Sequence, residues 1–231
     1  RAFPYLKKRG VSGEIARRFG LGYAPDGGHA LGAAFDDYGS PELQAVGLVI
    51  KHEQGRLYDR FRDRVMFPIV NHKGEVIAFG GRVLGQGEPK YLNSPETPLF
   101  EKGREIFGLP QARAAIRQSN TVVVVEGYLD VVALSQHGIG NVVATLGTAT
   151  TAMHVQKLLR QAEHIVFCFD GDSAGRKAAW RALENSLEAL SEKRSIAFAF
   201  LPDGDDPDSF VRKHGGEALQ RMIIEATPLS D

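Results

Sequence analysis

Thr121-Val122-Val123-Val124-Val125-Glu126-Gly127-Tyr128-Leu129-Asp130 is the stretch on which the reading of the fold turns. Its first five residues are β-branched without alternating polar positions, as in a strand buried on both faces. An acid, a glycine and a segment with helical spacing follow at once. The same order recurs downstream: strand-like runs at 141–145, 164–169 and 195–201 alternate with helical segments at 127–137, 151–163 and 172–190. Two more helical segments, 208–214 and 216–226, come after the last strand. Such alternation predicts right-handed crossovers and a parallel sheet with helices on both faces.

Upstream the pattern is less regular. Residues 15–19 read as a short helix after a turn at Gly10-Val11-Ser12-Gly13, and the Gly-rich stretch 24–34 reads as loop. Residues 65–70 and 75–79 pair as a hairpin turned by Asn71-His72-Lys73-Gly74. Residues 85–97 hold two Pro and two Gly and read as irregular, and 110–118 read as helix. The expected division is a mixed α/β basic part over 1–119, the parallel-sheet part over 120–205, and the start of a truncated helical part over 206–231.

With 231 residues, 43% of them hydrophobic, the chain can bury a core without disulfides or a structural metal. It begins at Arg1 rather than Met, so it is expected to be a piece of something longer. No uncharged apolar run approaches the ~18 residues of a membrane span, and there is no secretory signal. The one cysteine, Cys168, sits in an apolar run and reads as a small buried hydrophobe; no internal disulfide is possible, which fits a reducing, cytoplasmic setting. The formal charge of zero hides an asymmetry. Residues 1–120 carry 18 Lys/Arg against 13 Asp/Glu, and residues 121–231 carry 10 against 15. This suits metal-binding carboxylates opposite a surface that holds a polyanion, and equally two ordinary halves that attract each other.

In a parallel sheet, residues just past each strand converge on one edge, the usual site of chemistry in open α/β folds. Here that edge collects Glu126 and Asp130 after the first strand, Asp170-Gly171-Asp172 after the third, and Asp203-Gly204-Asp205-Asp206-Pro207-Asp208 after the fourth. The second strand runs instead into Leu146-Gly147-Thr148, suited to close backbone approach. Several acidic clusters on one edge repel one another unless a cation sits among them, and hard ions such as Mg²⁺ prefer oxygen donors. Asp130, four residues after Glu126, shares its helical face, and Gly171 lets the chain turn between Asp170 and Asp172. Asp172 and Asp208 also suit helix capping.

The basic side is Phe79-Gly80-Gly81-Arg82, Pro89-Lys90-Tyr91-Leu92-Asn93 and Phe100-Glu101-Lys102-Gly103-Arg104. These put Arg82, Lys90, Lys102 and Arg104 on Gly- and Pro-bounded segments able to converge on phosphates, with Tyr91 offering an aromatic face to a base. Arg56, Arg60, Arg62 and Arg64, interleaved with Asp59 and Asp63, read as a surface ion-pair ladder. Lys7-Lys8-Arg9 either grips a nucleic-acid backbone or is a solvated charge run.

Glu126-Gly127-Tyr128-Leu129-Asp130 with Asp170-Gly171-Asp172 resembles the TOPRIM signature of topoisomerases, some nucleases, recombination proteins and bacterial primases. The segments 59–69, 79–82, 90–97 and 201–208 are similar, in order, to motifs of the bacterial DnaG-type primase, whose RNA polymerase (catalytic) domain the chain resembles. The resemblance implies a TOPRIM-type fold and metal-dependent synthesis of short RNA primers on single-stranded DNA. It implies catalytic and metal-binding roles for Glu126, Asp130, Asp170, Asp172, Asp206 and Asp208. It implies nucleotide or nucleic-acid contacts for Arg82, Lys90, Tyr91, Asn93 and Lys102, and puts Arg9 near the template path. Mg²⁺ is the implied cofactor, with Mn²⁺ able to substitute; no zinc is expected, since these residues hold no Cys/His set like the family's zinc ribbon. The implied partners are the DNA template, ribonucleoside triphosphates and the RNA primer. A replicative helicase and a single-strand-binding protein would be met through modules outside these residues, at the replication fork in the nucleoid. Two other readings stay open on the residues alone: a TOPRIM-type nuclease, and a non-catalytic single-strand-binding module.

Overall fold

The computed structural model describes residues 1–147, 149–186 and 194–228. In chain order the first half runs α1 (Ala2–Lys8), α2 (Gly13–Arg18), β1 (Gly22–Ala24), a 3-10 turn (Ala30–Ala33), α3 (Pro41–Ala45), β2 (Val49–Lys51), β3 (Leu57–Asp59), β4 (Arg64–Val70), β5 (Val76–Val83), β6 (Tyr91–Asn93) and α4 (Leu109–Ser119). The second half runs β7 (Thr121–Val125), α5 (Tyr128–Gln136), β8 (Val142–Ala144), α6 (Ala152–Leu159), β9 (His164–Phe169), α7 (Ser173–Ser186), β10 (Ser195–Phe200), α8 (Pro207–His214), α9 (Gly216–Ile224) and β11 (Thr227–Pro228).

The second half is built on a five-stranded sheet of order β11-β10-β9-β7-β8. The pairs β10/β9, β9/β7 and β7/β8 are parallel, and the short β11 closes the β10 edge antiparallel. Because successive side chains on a strand face opposite ways, the β7 run divides itself between two cores. Val123 and Val125 enter one core with Phe67 of β4, Val131 and Leu134 of α5, Val211 of α8 and Leu219 of α9. Val122 and Val124 enter the other with Ile116 of α4, Leu158 of α6 and Ala179 of α7. Helices therefore cover both faces, which is why the strand is apolar at every position. Cys168, fully buried in β9, is one of the packing residues.

The first half carries an antiparallel sheet of order β1-β4-β5-β6, laid against the first of those cores. The predicted hairpin is present, but β5 runs on past the expected end at 79, through Gly80-Gly81-Arg82 to Val83. Packing explains the glycines. A Cβ on Gly80 would lie 2.5 Å from the Tyr128 ring, and one on Gly81 would lie 2.8 Å from the ring of Phe61. The stretch 85–97 is mostly irregular as expected, but it contains β6, paired to β5 through Arg82–Tyr91 and Gly80–Asn93.

The expected arginine ladder is not what forms. Arg64 is buried and donates to the carbonyls of Gly81 and Lys90, Arg60 donates to the carbonyl of Asn93, and Arg62 covers the Tyr58 ring. Asp59 is buried, accepting from the Tyr38 hydroxyl and the Leu31 amide, and Asp63 pairs with Arg1. Long-range partners replace local ones. The tail of the helix predicted over 172–190 and residue Thr148 fall outside the described residues. No helix among those described is long and apolar enough to cross a membrane.

Candidate active site

The carboxyl ends of β7 and β9 and the amino end of α8 face β5 and β6 across a cavity of about 300 Å³. The predicted Glu126, Asp130, Asp170, Asp206 and Asp208 line one side, and Arg82, Lys90, Tyr91, Asn93 and Arg9 line the other. Three predicted residues are not in its walls, and one of them, Arg104, is paired with Glu101 instead. Lys102 is tied up elsewhere through its backbone, its amide donating to Glu96 and its carbonyl meeting the ring of His154. Asp172 sits just before α7, where its Oδ1 accepts from the Gly175 amide at 2.8 Å, as a helix-capping acid does. It is still near enough for its charge to act on Glu126 and Asp170.

Each acid is positioned differently. Glu126 and Asp170 follow directly from the ends of β7 and β9. Between Asp170 and Asp172, Gly171 tolerates a backbone approach no other residue allows: a Cβ there would lie 2.3 Å from the Pro202 carbonyl oxygen. Asp206 caps α8 by accepting from the Ser209 amide, while Ser209 Oγ accepts from the Asp206 amide. Asp208 is 3% exposed and saturated: Arg9 donates to it at 2.6 Å and Arg212 at 2.9 Å. Its backbone amide donates in turn to Asp130 Oδ1 at 3.2 Å.

The remaining acids are short of counter-charge. Burial first, then Asp170 and Asp172, push Glu126 up to about 7. Burial, then Asp206 and Asp170, push Asp130 up to about 8. Burial, then Asp206 and Asp172, push Asp170 up to about 6. An all-oxygen donor set whose like charges resist ionising together fits a hard divalent cation. Toprim-like domains and primases generally bind divalent metal. Among the described residues, no three His, Cys, Asp or Glu side chains already converge as a finished metal cage.

Opposite the acids, Tyr5 of α1 lies under two guanidinium groups, 5.3 Å from that of Arg9 and 5.1 Å from that of Arg82, and Tyr91 covers the other side of Arg82 at 5.6 Å. Arg82 thus stands on a regular strand, within reach of two aromatic rings. A three-member bridge joins the walls: the Tyr128 hydroxyl donates to Asn93 Oδ1 at 2.7 Å, and Asn93 Nδ2 donates to the Leu146 carbonyl at 2.8 Å. Sequence reasoning did not single out Tyr5, Tyr128 or Arg212. Tyr128 stood inside the quoted acidic motif, whereas Tyr5 and Arg212 carried no signal of their own.

Comparison with known proteins agrees with this architecture. A family model described as the DNA primase catalytic core, N-terminal domain, matches residues 1–113, and one described as Toprim-like matches residues 123–211. The DNA primase of Neisseria meningitidis serogroup A is 56% identical over 228 residues, which are 98% of this chain and 38% of that protein. That of Escherichia coli (strain K12) is 52% identical over 230 residues, 98% of this chain and 39% of that protein. The chain thus spans about two fifths of the length of these curated relatives. A crystal structure of a DNA primase domain from Pseudomonas aeruginosa superposes with TM-score 0.93 at 53% identity, covering 99% of this chain and 72% of that one. A DnaG primase catalytic domain bound to ssDNA gives 0.93 at 52%, covering 99% and 74%. With matching family models in both halves and close likeness along nearly its whole length, the chain belongs to the bacterial DnaG-type DNA primase family, in the catalytic, TOPRIM-containing part.

Proposed function

We propose that this chain carries the nucleotidyl-transfer centre of a DNA primase, which copies single-stranded DNA into short RNA primers from ribonucleoside triphosphates. The observation that carries the reading is one cavity with carboxylates on one wall and Arg82, Lys90 and Arg9 on the other, in a chain of this family. In the reaction a 3′-hydroxyl attacks the α-phosphorus of a nucleoside triphosphate and pyrophosphate leaves. Glu126, Asp170 and Asp172 would hold Mg²⁺, or Mn²⁺ in its place, which when bound lowers the pKa of the attacking hydroxyl and neutralises charge on the leaving group.

This chain's own residues do the rest. Glu126, at the end of β7 on the acidic wall, would share that metal or else accept the hydroxyl proton. Arg82 and Lys90 hold phosphate oxygens, and Tyr91 keeps the Arg82 guanidinium in place. Asp208 takes a supporting part: with its oxygens filled by Arg9 and Arg212, it holds Arg9 at the cavity and orients Asp130 through its backbone amide. Asp206 supports the acidic wall through α8. We further read 1–119 as the strand- and nucleotide-holding part and 120–205 as the metal-holding part, with 206–231 opening a helical part. Helicase and single-strand-binding protein would meet the full-length protein elsewhere.

The test is template-dependent incorporation of labelled ribonucleotide with and without Mg²⁺ or Mn²⁺. Glu126→Gln and Asp170→Asn should each abolish dinucleotide synthesis while circular dichroism shows the fold intact. Near-normal synthesis by either variant, or cleavage of labelled single-stranded DNA with no nucleotides present, sinks the reading.

A further inference from the structure

We propose that the chain carries a second nucleic-acid contact, across the sheet edge from the active-site cavity, in which Lys177 and Arg181 hold the phosphates of a single strand and Trp180 stacks one of its bases. The cavity that suggests it has a volume of about 370 Å³ and shares Glu126 and Gly147 with the first. Glu126 therefore stands on the divide between the two. The far wall belongs to α7 and presents the small side chains of Ala174 and Ala178 beside its two cations, Lys177 and Arg181. Asn185 of α7 donates to the Thr150 carbonyl at 2.8 Å, holding the helix against the opposite wall.

Charge and shape select the occupant. Lys177 and Arg181, four residues apart, share one face of α7. Both are exposed, and neither has an ion-pair partner among the described residues. Arg176, by contrast, is engaged with the Gly171 carbonyl and Asp203, and Glu184 is the acid of this helix. At 100° per residue, Lys177 lies between Trp180 and Arg181 on the helix surface. Trp180 is 62% exposed, unusual for the largest apolar side chain, and its Nε1 donates to Glu184 at 3.0 Å, which restrains the ring. Cations spaced along a groove beside an exposed, restrained aromatic face form the arrangement that binds single strands without reading their sequence. A free phosphate or pyrophosphate would use the cations and leave the ring without a purpose. The shared ligand chemistry is a sugar–phosphate strand, and its source is the DNA template or the RNA product.

Trp180 is the sole tryptophan of the chain, so its emission reports this contact alone. Oligo(dT) and oligo(rU) of about 12 nucleotides are titrated separately into the whole chain. Quenching by at least one of them is expected, and which one quenches identifies the strand. Trp180→Ala, which has no tryptophan emission and is followed by the anisotropy of an end-labelled oligonucleotide, should weaken binding about 5-fold or more relative to the wild type in the same assay, from loss of one stacked base. Lys177→Ala with Arg181→Ala should lower the slope of log K against log salt by about 1.4, or 0.7 per phosphate. Three outcomes overturn the inference: no quenching by either strand, quenching by pyrophosphate alone, or wild-type affinity and salt slope in the double variant. It rests on the proposed primase activity only for the path of the strand. Dinucleotide synthesis measured on the same samples separates the two, since none of these residues lines the active-site cavity.

Discussion

Replacing Gly80 by Ala tests the seam between the two sheets most directly. The added methyl would lie 2.5 Å from Tyr128 Cζ, 2.6 Å from Cε2 and 2.8 Å from the hydroxyl oxygen, where ordinary contact begins at 3.4 Å. The ring has to retreat by about 0.9 Å. It has little room, because Phe67 stacks on it at 5.2 Å and Phe107 meets it edge-on at 4.9 Å. Overpacking of this kind costs about 1–3 kcal/mol, and stretching the buried bond to Asn93 adds about 1 kcal/mol. A loss of about 2–4 kcal/mol should lower the melting midpoint by about 5–15 °C in a chain of this size. Synthesis should suffer too, since Asn93 then loosens its hold on the Leu146 carbonyl beside the acids. A double-mutant cycle with Tyr128→Leu isolates the cause: without the ring, Gly80→Ala should cost under about 1 kcal/mol. Urea denaturation of the four proteins measures it. An unchanged cost in the Tyr128→Leu background, or no cost in the wild type, refutes the steric account.

Other consequences follow from the acids. With Asp130 raised to about 8, Glu126 to about 7 and Asp170 to about 6, the folded chain keeps protons that the unfolded chain releases near pH 4. Their contribution to stability is thus present below about pH 4 and lost as pH rises to about 8. In the metal-free chain it should appear as a falling component in urea midpoints taken across that range in the wild type but not in a Glu126→Gln, Asp130→Asn, Asp170→Asn triple variant; parallel profiles would contradict it. Mg²⁺ added at pH 8 should reverse the loss, by about 2.7 kcal/mol at a hundred times its dissociation constant, and Asp170→Asn should abolish most of that gain in a thermal-shift titration. Asp208→Ala leaves the part-exposed Arg9 and the exposed Arg212 without their shared acid and, since water reaches both guanidinium groups, should cost about 1–2 kcal/mol. A variant that unfolds like the wild type would show that the pair carries no weight.

The doubly wound half was legible because burial on both faces leaves an unbroken apolar mark, as in Thr121–Val125, and because strand ends in such a sheet converge. That convergence placed Glu126, Asp130, Asp170, Asp206 and Asp208 on one wall before any coordinates. What escaped was decided by residues far apart in the chain. Gly80 and Gly81 lie past the expected strand end, and become strand because the Tyr128 and Phe61 rings need the space. The Arg60–Arg64 segment looks like surface, yet Arg64 and Asp59 find buried partners in other elements. The tie from Arg9 to Asp208 spans 199 positions, and no local pattern announces it. Asp172 illustrates a different limit: a capping acid and a metal-holding acid look the same in sequence, and the helix it caps does not exclude the second use.

The Tyr128–Asn93–Leu146 bridge has a pharmacological corollary. The width of the cleft is set where two sheets meet across one shared core, so a blocking molecule need not compete with a charged substrate for the acids. A compact neutral molecule that lodges beside Asn93 and satisfies its amide in place of the Leu146 carbonyl would act as a wedge. By spreading the jaws it would disarm the enzyme while every reactive group stayed chemically untouched.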